Sequence, residues 1–265
     1  MAAMNPFEKQ TAIPGIKHII AVSSGKGGVG KSTVATNLAM ALAKKNKVGL
    51  LDADIYGPSI PRMLGVLNEK PTISANQRLQ PVVRHNVKLM SLGFLVEDGA
   101  AVVWRGPMLF KVMDQFLRDV DWGELDYLVV DLPPGTGDVQ LSLAQKVPVS
   151  GAVVVSTPQN ISLIDVKRAI DMFKRVNVKI LGLIENMAYM VNPTNGEKIQ
   201  MFPKGELGGY LDSEKIDKIG EIPFNPSIGI ACEAGVPIVD SYESSAEATE
   251  FLRIADLLRT RLPIE

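Results

Sequence analysis

The residues best suited to chemistry lie in a glycine-rich stretch near the amino end, which reads Gly-Lys-Gly-Gly-Val-Gly-Lys-Ser-Thr over residues 25–33. Its spacing fits the pattern G-x-x-x-x-G-K-[ST] of a phosphate-binding loop. Glycines let backbone N–H groups curl around an anion without a clash from Cβ. In such a loop Lys31 reaches the β- and γ-phosphates of a nucleotide, and the hydroxyl of Ser32 ligates Mg²⁺. The predicted phosphate-binding residues are Gly25, Gly27, Gly28, Val29, Gly30, Lys31, Ser32 and Thr33.

A strand and a helix must position this loop, and the sequence supplies both. The apolar run at residues 19–22 predicts a short buried strand directly before the loop. Residues 32–45 predict a helix that starts inside it, with apolar or small residues on its buried side. The free N–H groups and the dipole of a helix start add positive potential where phosphates would bind.

The rest of the chain alternates strand-like and helix-like segments, which predicts an α/β fold: a mostly parallel twisted sheet with helices on both faces. The chain shows no internal repeat or linker, so we expect an N-terminal extension at residues 1–15 and a single domain at 16–265. Further strands are predicted at 48–51, 128–130, 152–155, 180–184 and 219–222, and a β-hairpin within 72–92. Further helices are predicted at 108–117, 139–145, 163–176 and 246–262.

Composition narrows the class of protein. Of 265 residues 46% are hydrophobic, and 28 basic against 29 acidic residues leave a net charge of −1. This balance gives no electrostatic case for binding nucleic acid or membranes, and no apolar run reaches the roughly 18 residues of a membrane span. The single cysteine, Cys232, excludes an intrachain disulfide and favours a reducing, cytoplasmic location.

An aspartate further along the chain adds a predicted ligand for the metal ion of a nucleotide. Asp131 follows the strand predicted at 128–130, and ligands of parallel sheets bind at the carboxyl ends of strands. Asp131 is therefore expected to hold Mg²⁺ through water. The next residues, Pro-Pro-Gly-Thr-Gly over 133–137, form an unusual turn that we interpret as a switch sensing the γ-phosphate through the amide of Gly135.

Several short sequence motifs together resemble those of a known family. The run Lys-Gly-Gly-Val-Gly-Lys-Ser over 26–32 fits the pattern K-G-G-x-G-K-[ST] of the deviant Walker A ATPases, which include MinD and ParA. Asp-Ala-Asp-Ile-Tyr-Gly-Pro-Ser-Ile-Pro at 52–61 and Asp-Leu-Pro-Pro-Gly-Thr-Gly-Asp at 131–138 look like the Mrp/ApbC branch of that group, as do Trp-Arg-Gly-Pro-Met at 104–108 and Glu-Asn-Met at 185–187. Members of this branch are ATPases that carry and deliver iron–sulfur clusters. The resemblance covers nearly the whole chain.

The resemblance implies a P-loop NTPase fold, a homodimer, ATP hydrolysis and transfer of clusters to client apoproteins or other carriers. It also implies roles for individual residues. Lys26 would reach across the dimer to the partner's phosphates, as an arginine finger does. Asp54 would orient the attacking water, and Asp52 would support the Mg²⁺ shell together with Ser32 and Asp131. A turn or cap remains the alternative for both Asp52 and Asp54.

The resemblance further implies that the nucleotide is ATP. In the family an asparagine at the position of Asn186 hydrogen-bonds adenine, and Pro223 and Phe224 would form the other wall of the base pocket. No Asn/Thr-Lys-x-Asp motif for reading guanine occurs in the chain. The alternative for Asn186 is a capping or turn residue.

The chain departs from the family at the cluster site. Many members carry Cys-Pro-x-Cys after the Asn-Met pair, whereas this chain has Asn192-Pro-Thr-Asn195. Clusters are held mainly by thiolates, so we identify no iron–sulfur ligand from the sequence. Cys232 is expected to be a buried structural residue. A cluster remains a possible cargo, although the usual cysteine pair is absent.

A different class of function is the alternative: an organiser like MinD or ParA that carries no cluster. MinD-like proteins end in an amphipathic membrane helix, and residues 246–262 combine apolar residues with arginines. We interpret this segment as a helix that packs on the sheet. A phosphate-loop kinase or ligase would need an acceptor pocket that the sequence does not reveal.

Overall fold

The computed structural model describes residues 12–54, 57–95, 106–137, 140–141, 147–203 and 205–264. Its strands are β1 (Ile16–Ser23), β2 (Val48–Asp52), β3 (Thr72–Ile73), β4 (Leu79–Gln80), β5 (Val82–Arg84), β6 (Val87–Ser91), β7 (Leu125–Asp131), β8 (Gly151–Ser156), β9 (Ile180–Asn186), β10 (Met190–Val191), β11 (Lys198–Ile199) and β12 (Lys218–Ile222). Its helices are α1 (Lys31–Ala43), α2 (Ile60–Met63), α3 (Gly106–Arg118), α4 (Ser162–Arg175), α5 (Leu207–Glu214), α6 (Pro226–Glu233), α7 (Ile238–Ser241) and α8 (Ala246–Arg261), with a 3₁₀ turn at Leu92–Leu95.

An eight-stranded sheet organises these elements in the order β12-β9-β8-β1-β7-β2-β6-β5. Every neighbouring pair is parallel except β5 and β6 at one edge. The predicted mostly parallel α/β fold is therefore confirmed. Strand β1 lies between β7 and β8, so the loop that follows it opens at the point where the strand order reverses, which is where parallel sheets bind ligands.

Both faces of the sheet are covered. Side chains of β1 alternate between two apolar clusters, with Ile20 and Val22 in the cluster that includes α1 and α8, and Ile19 and Ala21 in the cluster that includes α3 and α4. A strand buried on both faces needs apolar residues at consecutive positions. This is why the core strands are continuous apolar runs in the sequence.

The C-terminal helix α8 belongs to the core. Phe251, Ile254 and Leu258 are completely buried, and the guanidinium of Arg259 donates hydrogen bonds to backbone carbonyls at the end of α1. Ser245 caps the helix by accepting a hydrogen bond from the amide of Ala248. The apolar stripe thus faces the sheet, as expected. In the part of the chain that the structure describes, no helix is long and apolar enough to cross a membrane.

The structure refines the predictions for two segments and adds a third element. The hairpin predicted within 72–92 is two antiparallel pairs, β3–β4 and β5–β6, and β6 also joins the main sheet by pairing in parallel with β2. Local alternation gives no information about such a distant partner. The small hairpin β10–β11 was not predicted. Of the helix predicted at 139–145 the structure describes only residues 140–141, and residues 1–11 of the N-terminal extension likewise lie outside the described residues.

Candidate nucleotide-binding site

The glycine-rich loop connects β1 to α1, as the sequence predicts. Gly30 precedes α1 with φ of 77°, a left-handed conformation that favours glycine. A Cβ atom on Gly30 would lie 2.2 Å from Nδ2 of Asn186, and Gly25 leaves no room for one against the backbone of Asp165. Both positions therefore require glycine. Val29 points into the core and is 2% exposed.

A cleft of about 220 Å³ opens over this loop. It gathers most of the predicted phosphate-binding residues together with Asp54. Ser59, directly before α2, and Met63, its last residue, also line the cleft, and no role had been predicted for either of them. The lining residues are Ser24, Lys26, Gly27, Gly28, Gly30, Lys31, Ser32, Thr33, Asp54, Ser59, Met63 and Pro134.

Charged side chains meet at the floor of the cleft. Nζ of Lys31 lies 2.7 Å from Oδ1 of Asp131 and 3.5 Å from Oδ2 of Asp54. The hydroxyl of Ser32 donates to Oδ2 of Asp131 at 2.6 Å. Asp131 is completely buried; burial raises the pKa of its carboxyl, and the charge of Lys31 opposes that rise. A hydroxyl and carboxylates offer the oxygen ligands that Mg²⁺ prefers, and Mg²⁺ commonly binds such ligands together with substrate phosphates. With the lysine beside them, these groups fit a nucleotide that carries Mg²⁺.

Asp52 ends β2 next to Asp131 in the sheet register, and it is also completely buried. Its Oδ1 accepts the amide of Asp54 at 3.2 Å, while Oδ2 accepts the amide of Ile60 at 3.3 Å and the hydroxyl of Ser91 at 2.9 Å. Burial and the charge of Asp131 raise the pKa of Asp52 to about 7. The structure thus places the carboxylate of Asp52 against the backbone amides of Asp54 and Ile60, which follow β2. Its support of a metal shell stays a prediction.

The turn after β7 already contacts the phosphate loop. The amide of Gly135, predicted to sense the γ-phosphate, donates to the carbonyl of Ser24 at 2.9 Å. The side-chain amide of Gln140 donates to the carbonyl of Pro134 at 2.5 Å. The first bond holds the turn against the start of the phosphate loop, and the second ties Gln140 to the turn. Asp138, the last residue of the sequence motif, lies outside the described residues.

Lys26 lies at the rim of the cleft and is half-buried. Its Nζ is 3.5 Å from Oε1 of Gln159, and the same Oε1 accepts the hydroxyl of Thr157 at 2.7 Å. The side chain thus extends toward the segment after β8 of its own chain. Gln159 belongs to none of the sequence motifs, so only the fold reveals that it is a neighbour of Lys26.

The predicted base-binding residues lie at neighbouring strand ends. Asn186 ends β9 and is 6% exposed; its amide donates to the carbonyl of Val29 at 2.8 Å. Ile222 at the end of β12 pairs with Asn186, which brings the buried Pro223 beside it. Phe224 follows with 43% exposure. The structure therefore brings the three predicted residues to one edge of the sheet, and Asn186 also braces the phosphate loop.

The positions that carry cysteine in the resembled family close a turn in this chain. Asn192 accepts the amide of Thr194 at 2.9 Å, and Asn195 accepts the amide of Glu197 at 3.0 Å, between β10 and β11. Cys232 is buried in α6, as predicted, and burial raises the pKa of its thiol to about 11. Within the described ranges, no group of three or more His, Cys, Asp or Glu residues is arranged to hold a metal ion.

Comparison with known proteins decides the family. The model of a ParA family described as NUBPL iron-transfer P-loop NTPase matches residues 15–259. The chain belongs to this family. Its relatives include the iron-sulfur cluster carrier protein of Aquifex aeolicus, 49% identical over 96% of this chain and 70% of the relative. They also include the iron-sulfur cluster transfer protein NUBPL of Mus musculus, 48% identical over 96% of this chain and 80% of the relative. The family expected from the sequence is confirmed.

Solved structures agree with this membership. A nucleotide-binding protein of Archaeoglobus fulgidus in complex with ADP superposes with a TM-score of 0.77 at 41% identity, covering 90% of this chain and 93% of that chain. The cell division ATPase MinD of Pyrococcus furiosus superposes with a TM-score of 0.67 at 22% identity, covering 92% and 99%. The second likeness concerns the fold alone. Both support the P-loop NTPase fold of this family member.

Proposed function

We propose that this family member is a homodimeric ATPase that carries iron–sulfur clusters or assists their delivery to apoproteins. The observation that carries the proposal is the cluster formed by Lys31, Ser32, Asp54 and Asp131 at the floor of the cleft. It combines a cation for phosphates, ligands for a magnesium ion and a carboxylate for water in one place. The names of the relatives, iron-sulfur cluster carrier and transfer proteins, supply the cargo.

Binding starts with the loop. Its backbone N–H groups and the start of α1 surround the β- and γ-phosphates, and Lys31 turns from Asp131 to those phosphates. Ser32 and, through water, Asp131 would hold the Mg²⁺ that accompanies ATP. When bound, that ion neutralises charge on the phosphate oxygens. Asn186 hydrogen-bonds the adenine, while Pro223 and Phe224 face the base.

Hydrolysis needs a positioned water and a further positive charge. Asp54 lies beside Lys31 and orients the water for attack on the γ-phosphate. Lys26 leaves Gln159 when a second copy docks and stabilises the developing charge in the partner's site. The amide of Gly135 exchanges the carbonyl of Ser24 for the γ-phosphate, so the state of the nucleotide changes how the two copies meet.

The cargo step involves a second protein that bears thiols. The whole chain contains one cysteine, so a dimer offers at most two thiolates, and in this fold both are buried. A cluster bound by four cysteines needs additional ligands. We propose that a client or another carrier provides them, while the ATPase cycle controls when that partner is engaged.

Anaerobic reconstitution with iron and sulfide tests the cargo, alongside an assay of ATP hydrolysis. The protein alone is expected to hydrolyse ATP and to bind little iron, in the wild type and in Cys232→Ala alike. Adding a thiol-bearing carrier loaded with a cluster should give ATP-dependent transfer to an apoprotein. About four irons per dimer, lost in Cys232→Ala, would show instead that Cys232 takes part in an unconventional shared cluster.

Hydrolysis without ATP-dependent transfer, combined with ATP-dependent sedimentation on liposomes, would favour an organiser of the MinD type. An absence of both hydrolysis and nucleotide binding would overturn the proposed ATPase itself.

A further inference from the structure

Ser91 ends strand β6, on the side of the sheet away from the base-binding residues. The register sets Ser91 opposite Asp52 and Asp52 opposite Asp131, so polar side chains end three adjacent strands. None of the three has any exposed surface. Asp52 and Asp131 belong to the predicted site, whereas no motif draws attention to Ser91.

The hydroxyl of Ser91 has a defined direction. It donates to Oδ2 of Asp52 at 2.9 Å, and the amide of Gly93 donates to the same hydroxyl oxygen at 2.9 Å. A serine hydroxyl has one proton and two acceptor positions. Because Gly93 fills an acceptor position, the proton is available for Asp52. The bond is charge-assisted when Asp52 is ionised.

Asp52 transmits this constraint to the segment that carries Asp54. Its two carboxylate oxygens accept the amides of Asp54 and of Ile60, the first residue of α2. Ile60 is completely buried, so α2 is fixed in the core at that point. Asp52 therefore holds the backbone at Asp54 and at Ile60, and Ser91 holds Asp52.

Packing reinforces the same link. A Cβ atom placed on Gly93 would lie 3.1 Å from Oγ of Ser91 and 3.2 Å from Cβ of Pro58. The turn that follows β6 therefore lies directly against Pro58, which precedes α2. Strand β6, which carries none of the predicted nucleotide-binding residues, is thus linked through Asp52 to the backbone of Asp54, the residue expected to orient water.

We propose that Ser91 is a positioning residue for hydrolysis, which acts through Asp52 to hold Asp54 at the attacking water. This inference rests on the proposed ATPase activity. Without the hydroxyl, the partly buried amide of Gly93 and the completely buried carboxylate of Asp52 each lose a hydrogen-bond partner. The phosphate loop keeps all of its own contacts, so the change affects turnover and leaves nucleotide binding in place.

The experiment compares Ser91→Ala with Ser150→Ala. Ser150 also accepts a backbone amide, that of Ile19 at 3.1 Å, but at the amino end of the strands. Ser91→Ala is expected to lower kcat by about 10- to 100-fold, because a displacement of about 1 Å can cost about 100-fold, with the Kd for ATP within about threefold of the wild type. Ser150→Ala should keep the wild-type kcat. Ser91→Cys, which keeps the volume but donates weakly, should be intermediate.

A double-mutant cycle separates positioning from general destabilisation. If Ser91 acts through Asp52, Ser91→Ala adds no further loss of kcat to Asp52→Asn. Folded Ser91→Ala with a kcat within about twofold of the wild type, or an additional full loss in the Asp52→Asn background, would overturn the inference. Ser91→Cys serves in the same cycle if Ser91→Ala does not fold.

Hydrogen exchange distinguishes failure of this inference from failure of the proposed function. The amide of Ile60 should exchange faster in Ser91→Ala than in Ser150→Ala, whether or not the protein hydrolyses ATP. An inactive wild type would overturn the ATPase proposal, while unchanged exchange at Ile60 would overturn the role of Ser91.

Discussion

Lys31 and Asp131 are one hundred positions apart in the chain, yet Nζ of Lys31 lies 2.7 Å from Oδ1 of Asp131. Lys31 is 5% exposed and Asp131 is completely buried, so each buried charge is stabilised by the opposite charge of the other. Ser32 occupies the second carboxylate oxygen. The pair joins the start of α1 to the end of β7 and sets the floor of the cleft.

Replacing Lys31 should therefore affect stability as well as activity. Lys31→Met removes the cation proposed to bind phosphate and leaves Asp131 buried without its counter-ion. We expect loss of ATP hydrolysis and a decrease of about 3 kcal/mol in the free energy of unfolding, measured by urea denaturation. Lys31→Met combined with Asp131→Asn should regain most of the stability and none of the activity. Hydrolysis at the wild-type rate in Lys31→Met would contradict the assignment.

Mixing two inactive variants tests whether Lys26 acts across a dimer. In the proposed mechanism, Lys26→Ala keeps its own Asp54 but supplies no lysine to its partner, whereas Asp54→Ala supplies the lysine but cannot orient water. If Lys26 acts in the partner's site, each mixed dimer contains one complete site, and an equal mixture should recover about one quarter of the wild-type rate. Action within one chain predicts no recovery. Sizing chromatography with and without ATP checks that dimers form.

Asn186 is expected to influence affinity through the loop as well as through the base. Asn186→Ala removes the bond to the carbonyl of Val29 and the side chain that faces Gly30. We expect the Kd for ATP, measured by calorimetric titration, to rise by about tenfold. Asn46→Ala is a matched control, because it loses the bond to Arg259 far from the cleft. An unchanged Kd in Asn186→Ala would remove this residue from the site.

Cys232 provides a prediction on pH. Burial raises the pKa of its thiol from 9.0 to about 11. Between these values the unfolded chain releases the thiol proton while the folded chain retains it, so the thiol's contribution to stability is present below pH 9 and decreases toward pH 11. The free energy of unfolding of the wild type, relative to Cys232→Ala, should fall by roughly 3 kcal/mol across this window.

Urea denaturation of both proteins at several pH values measures that difference. A difference independent of pH would mean that the thiol is accessible to water in the folded protein. In that case Cys232 would again be a candidate ligand for a cluster.

The sequence by itself determined the parts of this protein that depend on consecutive residues. The loop over 25–33 was identified because its glycines, lysines and hydroxyls must follow one another to surround a phosphate. Continuous apolar runs predicted the core strands and, with them, the α/β class. Short motifs such as the one at 131–138 identified the family, which the comparisons confirm. Burial of Cys232 and of the apolar face of α8 also followed the expected pattern.

Only the tertiary structure decided which distant side chains meet. Asn186 contacts a carbonyl 157 positions away, and Ser91 reaches Asp52 only because β6 pairs in parallel with β2 rather than remaining in an isolated hairpin. The contact between Lys26 and Gln159 likewise joins two residues that lie far apart in the sequence. Local periodicity specifies which face of an element is apolar. Strand order and register specify which polar ends become neighbours, and those depend on the packing of the whole sheet.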